Sequence, residues 1–336
     1  MMGVSTLVGT LRLINMIILI SKFAVGLLLI IKGADWLTDG ASDIARRFNI
    51  SSLVIGLTIV AFGTSAPELV VSVISAVKGQ TDLAIGNVVG SNIFNSLAII
   101  GFTAIVCPVA CTKGNIRYDV PLCLLASVVL FVMANDTLLG ASEDVISRSD
   151  GIVLLCFMAI FLAYSITLGV NSSNDTNNEK QSTPVHLWKS VLLFLIGLSL
   201  LIFGGEWIVD GASGIAANLG VSQSIIALTI VAAGTSFPEL MTSIIAARKG
   251  DTDMALGNVV GSNIFNIFFI LGTSATISPL QRGNIGIFDF LTLVFGAVLI
   301  WLFCRFGRKY HYITRAEGIV LTMCAIIYYI LSVIGA

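Results

Sequence analysis

Two glutamates stand where an apolar chain has no ordinary use for them. Glu68 closes the segment GTSAPE, Gly63 to Glu68, and Glu239 closes GTSFPE, Gly234 to Glu239, each inside a long apolar run. An ionisable side chain at that depth is expensive and marks a functional site by default. The residues before each glutamate strengthen the signal. Pro67 has no N–H, so the carbonyl of Gly63 loses its helical partner. Ala66 precedes a proline and is pushed off helical geometry. Thr64 and Ser65 add hydroxyls, and Thr235, Ser236, Phe237 and Pro238 repeat the arrangement after Gly234. Carboxylates, hydroxyls and freed carbonyls are hard oxygen ligands of the kind that calcium and sodium take.

A second segment follows each of these. GNVVGSNIFN occupies Gly86 to Asn95 and recurs letter for letter from Gly257 to Asn266. Asn87, Ser91 and Asn95 fall at i, i+4 and i+8, one polar face of a helix, and Asn258, Ser262 and Asn266 are their repeats. Such a face can present amide and hydroxyl oxygens to a cation between the two glutamates. Gly86 and Gly90, four apart, allow close helix packing, and Asn87 and Asn258 fit a packing role equally well. Asp35, Asp39, Glu206 and Asp210 read as helix-end or packing groups rather than ion ligands, with Lys32 placed to pair with Asp35 at i, i+3. Trp36 and Trp207 suit a membrane-interface belt.

The elements that must carry these segments follow from composition. Of 336 residues, 56% are hydrophobic and 11% charged, whereas soluble domains carry about a quarter charged residues. The apolar residues form runs long enough to cross a bilayer as helices. A net charge of −1 argues against nucleic acid as a partner. The six cysteines form no CxxC pair and His186 and His311 fall in polar connections, so a thiolate or imidazole metal site is not indicated.

The chain repeats itself at an offset of 171: from Gly26 to Pro108 against Gly197 to Pro279, about 47 of 83 pairs are identical. A repeat of this kind fixes the architecture. Residues 1–168 form a first repeat, with an N-terminal extension at 1–15 and five spans near 16–42, 51–78, 82–107, 119–137 and 149–168. Residues 188–336 form a second, with spans near 188–213, 222–248, 253–278, 287–304 and 316–335. The polar stretch 169–187 reads as a cytosolic linker. An odd number of spans inverts the second repeat, the plan of many secondary transporters. With the N-terminus outside, the inner connections hold twelve Lys and Arg against four outside, as the positive-inside rule requires. The fold class expected is therefore an all-α polytopic membrane protein of about ten transmembrane helices in two inverted five-helix repeats. It sits in the lipid bilayer with both termini outside.

At the paired GTSxPE and GNxxGSNIFN segments the sequence resembles the sodium/calcium exchanger family of calcium:cation antiporters, in its short prokaryotic form. The resemblance covers nearly the whole chain. It implies antiport of calcium against sodium by alternating access in a bacterial inner membrane, with these ions as cargo, no cofactor, no catalysis and no obligatory protein partner. It also implies that Glu68 and Glu239 bind calcium and share sodium sites, and that Thr64 and Thr235 add backbone oxygens. Ser65, Ser236, Ser91, Ser262, Asn95 and Asn266 would then help coordinate sodium or water. Many family members carry an acidic residue where this chain has Asn266. The rival reading is a calcium/proton antiporter in which the same glutamates take up protons. An intramembrane hydrolase built on the two carboxylates is a distant third, since no catalytic motif accompanies them.

Overall fold

The computed structural model describes residues 2–140, 142–175, 187–219, 232–309 and 311–335. These residues are overwhelmingly helical. The helices are α1 (Met2–Phe48), α2 (Ser52–Thr64), α3 (Ala66–Val77), α4 (Thr81–Val106), α5 (Asn115–Met133) and α6 (Arg148–Asp175). After the connection come α7 (Leu187–Asn218), α8 (Phe237–Arg248), α9 (Thr252–Ile277), α10 (Ile287–Phe306) and α11 (Arg315–Gly335). Among the described residues eight helices are long and apolar enough to span a membrane, or nine when the bent pair α2–α3 counts as one. The span expected at 222–248 begins outside the described residues, and α8 is its visible end.

Two segments differ from their sequence reading. The extension at 1–15 is not separate, because α1 runs unbroken from Met2 to Phe48; no proline interrupts it. The linker at 169–187 is also shorter than its composition suggests. Helix α6 continues to Asp175 and α7 starts at Leu187, while residues 176–186 lie outside the described residues.

Helices α1 and α7, equivalent in the two repeats, pack against each other antiparallel, and glycines set their spacing. A methyl group on Gly33 would lie 2.8 Å from the Gly197 carbonyl oxygen, and one on Gly26 would lie 2.8 Å from that of Gly204. Gly197 meets Gly33, and Gly204 meets Gly26, in the reciprocal way. Only a residue without a Cβ lets backbones approach so closely, the packing mode that membrane helices use in place of a hydrophobic drive. The second close approach joins α9 to α2, where Gly257 and Gly261 face the carbonyls of Leu53 and Leu57. The positions equivalent to Leu53 and Leu57, 224 and 228, lie outside the described residues.

The remaining helices surround α4 and α9, which are the most enclosed spans. Two short antiparallel strand pairs close the ends of the bundle. β1 (Val109–Ala110) pairs with β4 (Tyr312–Ile313), and β2 (Val145–Ile146) pairs with β3 (Leu280–Gln281). Asp119 and Asp289, near the starts of α5 and α10, accept hydrogen bonds from Tyr164 (3.1 Å) and Tyr328 (2.9 Å), fastening each helix to the one that follows it in sequence. At the β2–β3 end Arg282 bridges Asp144 at 2.9 Å. The Thr137 N–H and Arg282 together hold the Asp144 carboxyl below its ordinary range.

Lys32, Asp35, Asp39 and Asp210 lie within α1 and α7 rather than at their ends, and they form ion pairs. Lys32 lies 3.5 Å from Asp35, as its spacing predicts. Lys249, just past α8, bridges Asp35 at 2.6 Å and Asp39 at 2.7 Å. Asp210 pairs with Lys22 at 3.1 Å.

Because α5 separates β1 from β2, the two strand pairs must occupy opposite membrane faces. Single cysteines at Thr112 and Arg308, in a chain otherwise free of accessible cysteine, should react with an impermeant reagent from one side. Cysteines at Glu143 and Arg282 should react from the other. Labelling of all four from the same side would refute this arrangement.

Candidate ion site

The chain breaks where the sequence places its chemistry. Helix α2 stops at Thr64, α3 starts at Ala66, and the two are bent by 49°. The residue off helical geometry is Ser65, with φ −83° and ψ 8°, rather than Ala66. Pro67 explains the difference: in the first turn of a new helix its missing N–H would have had no partner anyway, so α3 can begin one residue ahead of the proline. The second repeat does the same. Thr235 and Ser236 form a turn, Ser236 has φ −90° and ψ 6°, and α8 begins at Phe237. Glu68 and Glu239 therefore sit in the first turns of α3 and α8, where a helix stabilises negative charge. The last carbonyls of α2 end at the same level, and those carry partial negative charge that suits a cation.

The two repeats meet crosswise. Ser65 Oγ donates to Glu239 Oε1 at 3.0 Å, and Ser236 Oγ donates to Glu68 Oε1 at 3.2 Å. Thr235 also lies beside Glu68, and Thr64 beside Glu239. Both glutamates have no exposed surface, so the serine hydroxyl of each break contacts the carboxylate of the other without intervening solvent. Asn87 Nδ2 donates to the Glu68 carbonyl (3.3 Å) and to Ser72 Oγ (3.0 Å). Asn258 Nδ2 makes the matching bonds to the Glu239 carbonyl (3.3 Å) and Ser243 Oγ (2.9 Å), while its Oδ1 accepts from Thr64 Oγ1 at 3.2 Å. The packing role considered for Asn87 and Asn258 is thus the one their contacts support: they brace the backbone that carries each glutamate.

Behind the carboxylates, Ser91, Ser262, Asn95 and Asn266 are all buried. Asn95 and Asn266 fall in wide π-helical turns, Phe94–Ile99 and Phe265–Leu271; such turns recur at functional sites. Seven oxygens of the candidate site residues have no hydrogen-bond partner among the described residues: Glu68 Oε2, Glu239 Oε2, Thr235 Oγ1, Ser91 Oγ, Ser262 Oγ, Asn95 Oδ1 and Asn266 Oδ1. A buried polar atom left unpaired costs about 1–3 kcal/mol, so seven among the candidate residues call for partners that the described residues do not supply. Among the described residues no group of three or more His, Cys, Asp or Glu could hold a metal. The set is instead two carboxylates supplemented by neutral oxygens, which suits an ion that must also leave.

Sequence reading overlooked Asn92, Asn263 and Ser96. They lie off the polar face drawn through Asn87, Ser91 and Asn95, yet all three are buried and hydrogen-bonded at the centre. The signal available was that Asn92 and Asn263 are duplicated in the two decapeptides.

Crossed helix breaks, each with an acidic first turn, inside a helical membrane bundle define an ion-translocating membrane protein. The family model described as sodium/calcium exchanger protein matches residues 18–167 and 189–334, and the chain belongs to that family. It is 31% identical to "Sodium/calcium exchanger MaX1" of Methanosarcina acetivorans over 344 residues, which cover 92% of this chain and 96% of that one. It is 35% identical to "Inner membrane protein YrbG" of Escherichia coli over 315 residues, covering 91% and 94%. Among solved structures it is similar to the sodium-calcium exchanger NCX_Mj soaked with 2.5 mM Na+ and 1 mM Sr2+. The TM-score there is 0.79 at 34% identity, with 93% of this chain and 97% of that one covered.

Replacing either glutamate by glutamine keeps the shape and removes the charge. Glu68→Gln and Glu239→Gln should each lower calcium flux in proteoliposomes by about a hundredfold or more, or about 2.7 kcal/mol of lost ion binding, with normal membrane insertion. Near-normal flux in both variants would rule out the site.

Proposed function

We propose that this protein exchanges calcium for sodium across a bacterial inner membrane by alternating access. In this reading it uses ten spans in two inverted five-helix repeats, with both termini outside. The observation that carries the proposal is the seven unpartnered buried oxygens among the candidate residues, Glu68 and Glu239 included. Two carboxylates give the site a formal charge of −2, which one calcium or two sodium ions neutralise. An empty site so charged is costly in a low-dielectric bundle, so reorientation is favoured when the charge is compensated. Exchange rather than leakage follows from that preference. Thr64 and Thr235 sit at the two breaks, where their backbone oxygens complete the calcium ligands. Ser65, Ser236, Ser91, Ser262, Asn95 and Asn266 serve sodium and water. The antiparallel pairing of α1 with α7 and the crosswise serine–glutamate bonds support the inverted relationship of the repeats.

The deciding experiment imposes a sodium gradient at fixed pH on proteoliposomes holding radioactive calcium. Sodium-driven calcium movement is expected. Movement driven by a proton gradient alone, with no response to sodium, would replace this reading with calcium/proton antiport.

Asn266 tests the chemistry of the site. Its Nδ2 donates to Asn92 Oδ1 at 2.8 Å, so a carboxyl at this position keeps that bond only when protonated. Otherwise it brings a third negative charge that needs a further cation. Asn266→Asp should therefore make calcium flux more dependent on pH, or on an added monovalent cation such as potassium. Identical pH and potassium profiles for the two proteins would show that Asn266 is outside the ion site.

A further inference from the structure

Four amides cross between the repeats beside the site. Asn92 Nδ2 donates to the backbone carbonyl of Asn263 at 3.0 Å, and Asn266 Nδ2 donates to Asn92 Oδ1 at 2.8 Å. In parallel, Asn263 Nδ2 donates to Ser96 Oγ at 2.8 Å, and Asn95 Nδ2 donates to Asn263 Oδ1 at 3.1 Å. All five residues are buried. Each of the inner amides, Asn95 and Asn266, thereby spends its N–H on an outer amide and turns its oxygen the other way, and both those oxygens lack partners.

The two chains of hydrogen bonds are not equivalent. A carbonyl can only accept, so the bond to the Asn263 backbone fixes which end of the Asn92 amide is nitrogen. The opposite end of Asn92 is then oxygen, which in turn forces Asn266 to present nitrogen to Asn92 and oxygen away from it. The protein alone sets this polarity. The other chain ends on the Ser96 hydroxyl, which both donates and accepts, so it permits either orientation of Asn263 and Asn95. Ser96 itself has no counterpart, because the equivalent position is Ile267.

We infer that Asn92 is a positioning residue that locks the Asn266 amide with its oxygen toward the transported cation. This rests on the proposed role of Asn266 as an ion ligand. A flipped amide would point two N–H groups at a cation, so the lock is worth having only where a cation binds. Asn263 holds Asn95 in the same manner but less firmly, since the hydroxyl beyond it can reverse. Residues that orient metal ligands commonly contribute about 10–100-fold to affinity.

The test measures the calcium concentration for half-maximal sodium-driven flux, and the maximal rate, for the full chain in proteoliposomes. Asn92→Leu, similar in size but without an acceptor, should raise the half-saturating calcium concentration at least about tenfold with a smaller change in maximal rate. Asn92→Asp, which still accepts from Asn266 Nδ2, should recover most of that loss. On an Asn266→Ala background Asn92→Leu should add little, because the group it orients is gone. Asn263→Leu should have the weaker effect of the two. If the leucine variant does not reach the membrane, Asn92→Ala in the same cycle gives the answer. An unchanged half-saturating concentration in Asn92→Leu, or its full effect on the Asn266→Ala background, would overturn the inference. Either result leaves the exchange reading intact if Glu68→Gln still abolishes flux.

Discussion

Burying two carboxylates in one apolar bundle is the constraint on which the rest of this structure depends. Moving a single ionised carboxylate from water to a protein interior costs several kcal/mol even after relaxation, and Glu68 and Glu239 are close enough to repel each other. The chain meets the cost locally on one oxygen of each carboxylate and leaves the other available. Ser236 and Ser65 cover the Oε1 atoms from the opposite repeat, and the helix starts of α3 and α8 add favourable dipoles. Nothing among the described residues covers the Oε2 atoms. A site that were fully satisfied by the protein would have no use for a cation, and one left wholly unsatisfied would not fold.

The broken helices serve the same end. A continuous helix would pair every carbonyl with an N–H four residues on and leave only side chains for coordination. The break at Ser65 frees backbone carbonyls at the depth of Glu68, and non-helical backbone there is tolerated only because protein surrounds it. Asn87 and Asn258 repair part of the loss by donating to the Glu68 and Glu239 carbonyls. The asparagines of the decapeptide thus divide into two kinds of work. Asn87 and Asn258 hold the glutamate backbone, whereas Asn95 and Asn266 offer oxygens.

Much of this was legible in the sequence because duplication amplifies weak signals. One proline in a membrane helix means a kink and one buried glutamate is ambiguous, but two copies of each at a constant offset single out the site. Most of the described helical spans also follow from apolar runs within a few residues, although α1 and α6 run longer. What the letters did not show has physical causes. The break sits at Ser65 instead of Ala66 because proline is accommodated inside the first turn of α3. Asn92 and Asn263 escaped notice because a straight 3.6-residue helix places them off the polar face. The wide turns that carry Asn95 and Asn266 begin only after Asn92 and Asn263, at Phe94 and Phe265, and a π-turn has no compositional mark. Helix α6 runs into the polar stretch because polar residues without proline do not stop a helix.

The two repeats share their letters but not their contacts. Lys249 bridges Asp35 and Asp39, yet the equivalent Lys78 forms no ion pair among the described residues, and Asp210 turns to Lys22 instead. Asn92 ends on a backbone carbonyl where Asn263 ends on a hydroxyl. Part of the difference is written in the letters, since the position equivalent to Lys22 is Leu193 and that equivalent to Ser96 is Ile267. Exposed ion pairs such as those of Lys249 are each worth about 0–1 kcal/mol, so exchanging them between the two ends costs little. Against those weak pairs, the buried serine–glutamate crossings run in both directions and are what the two repeats keep in common.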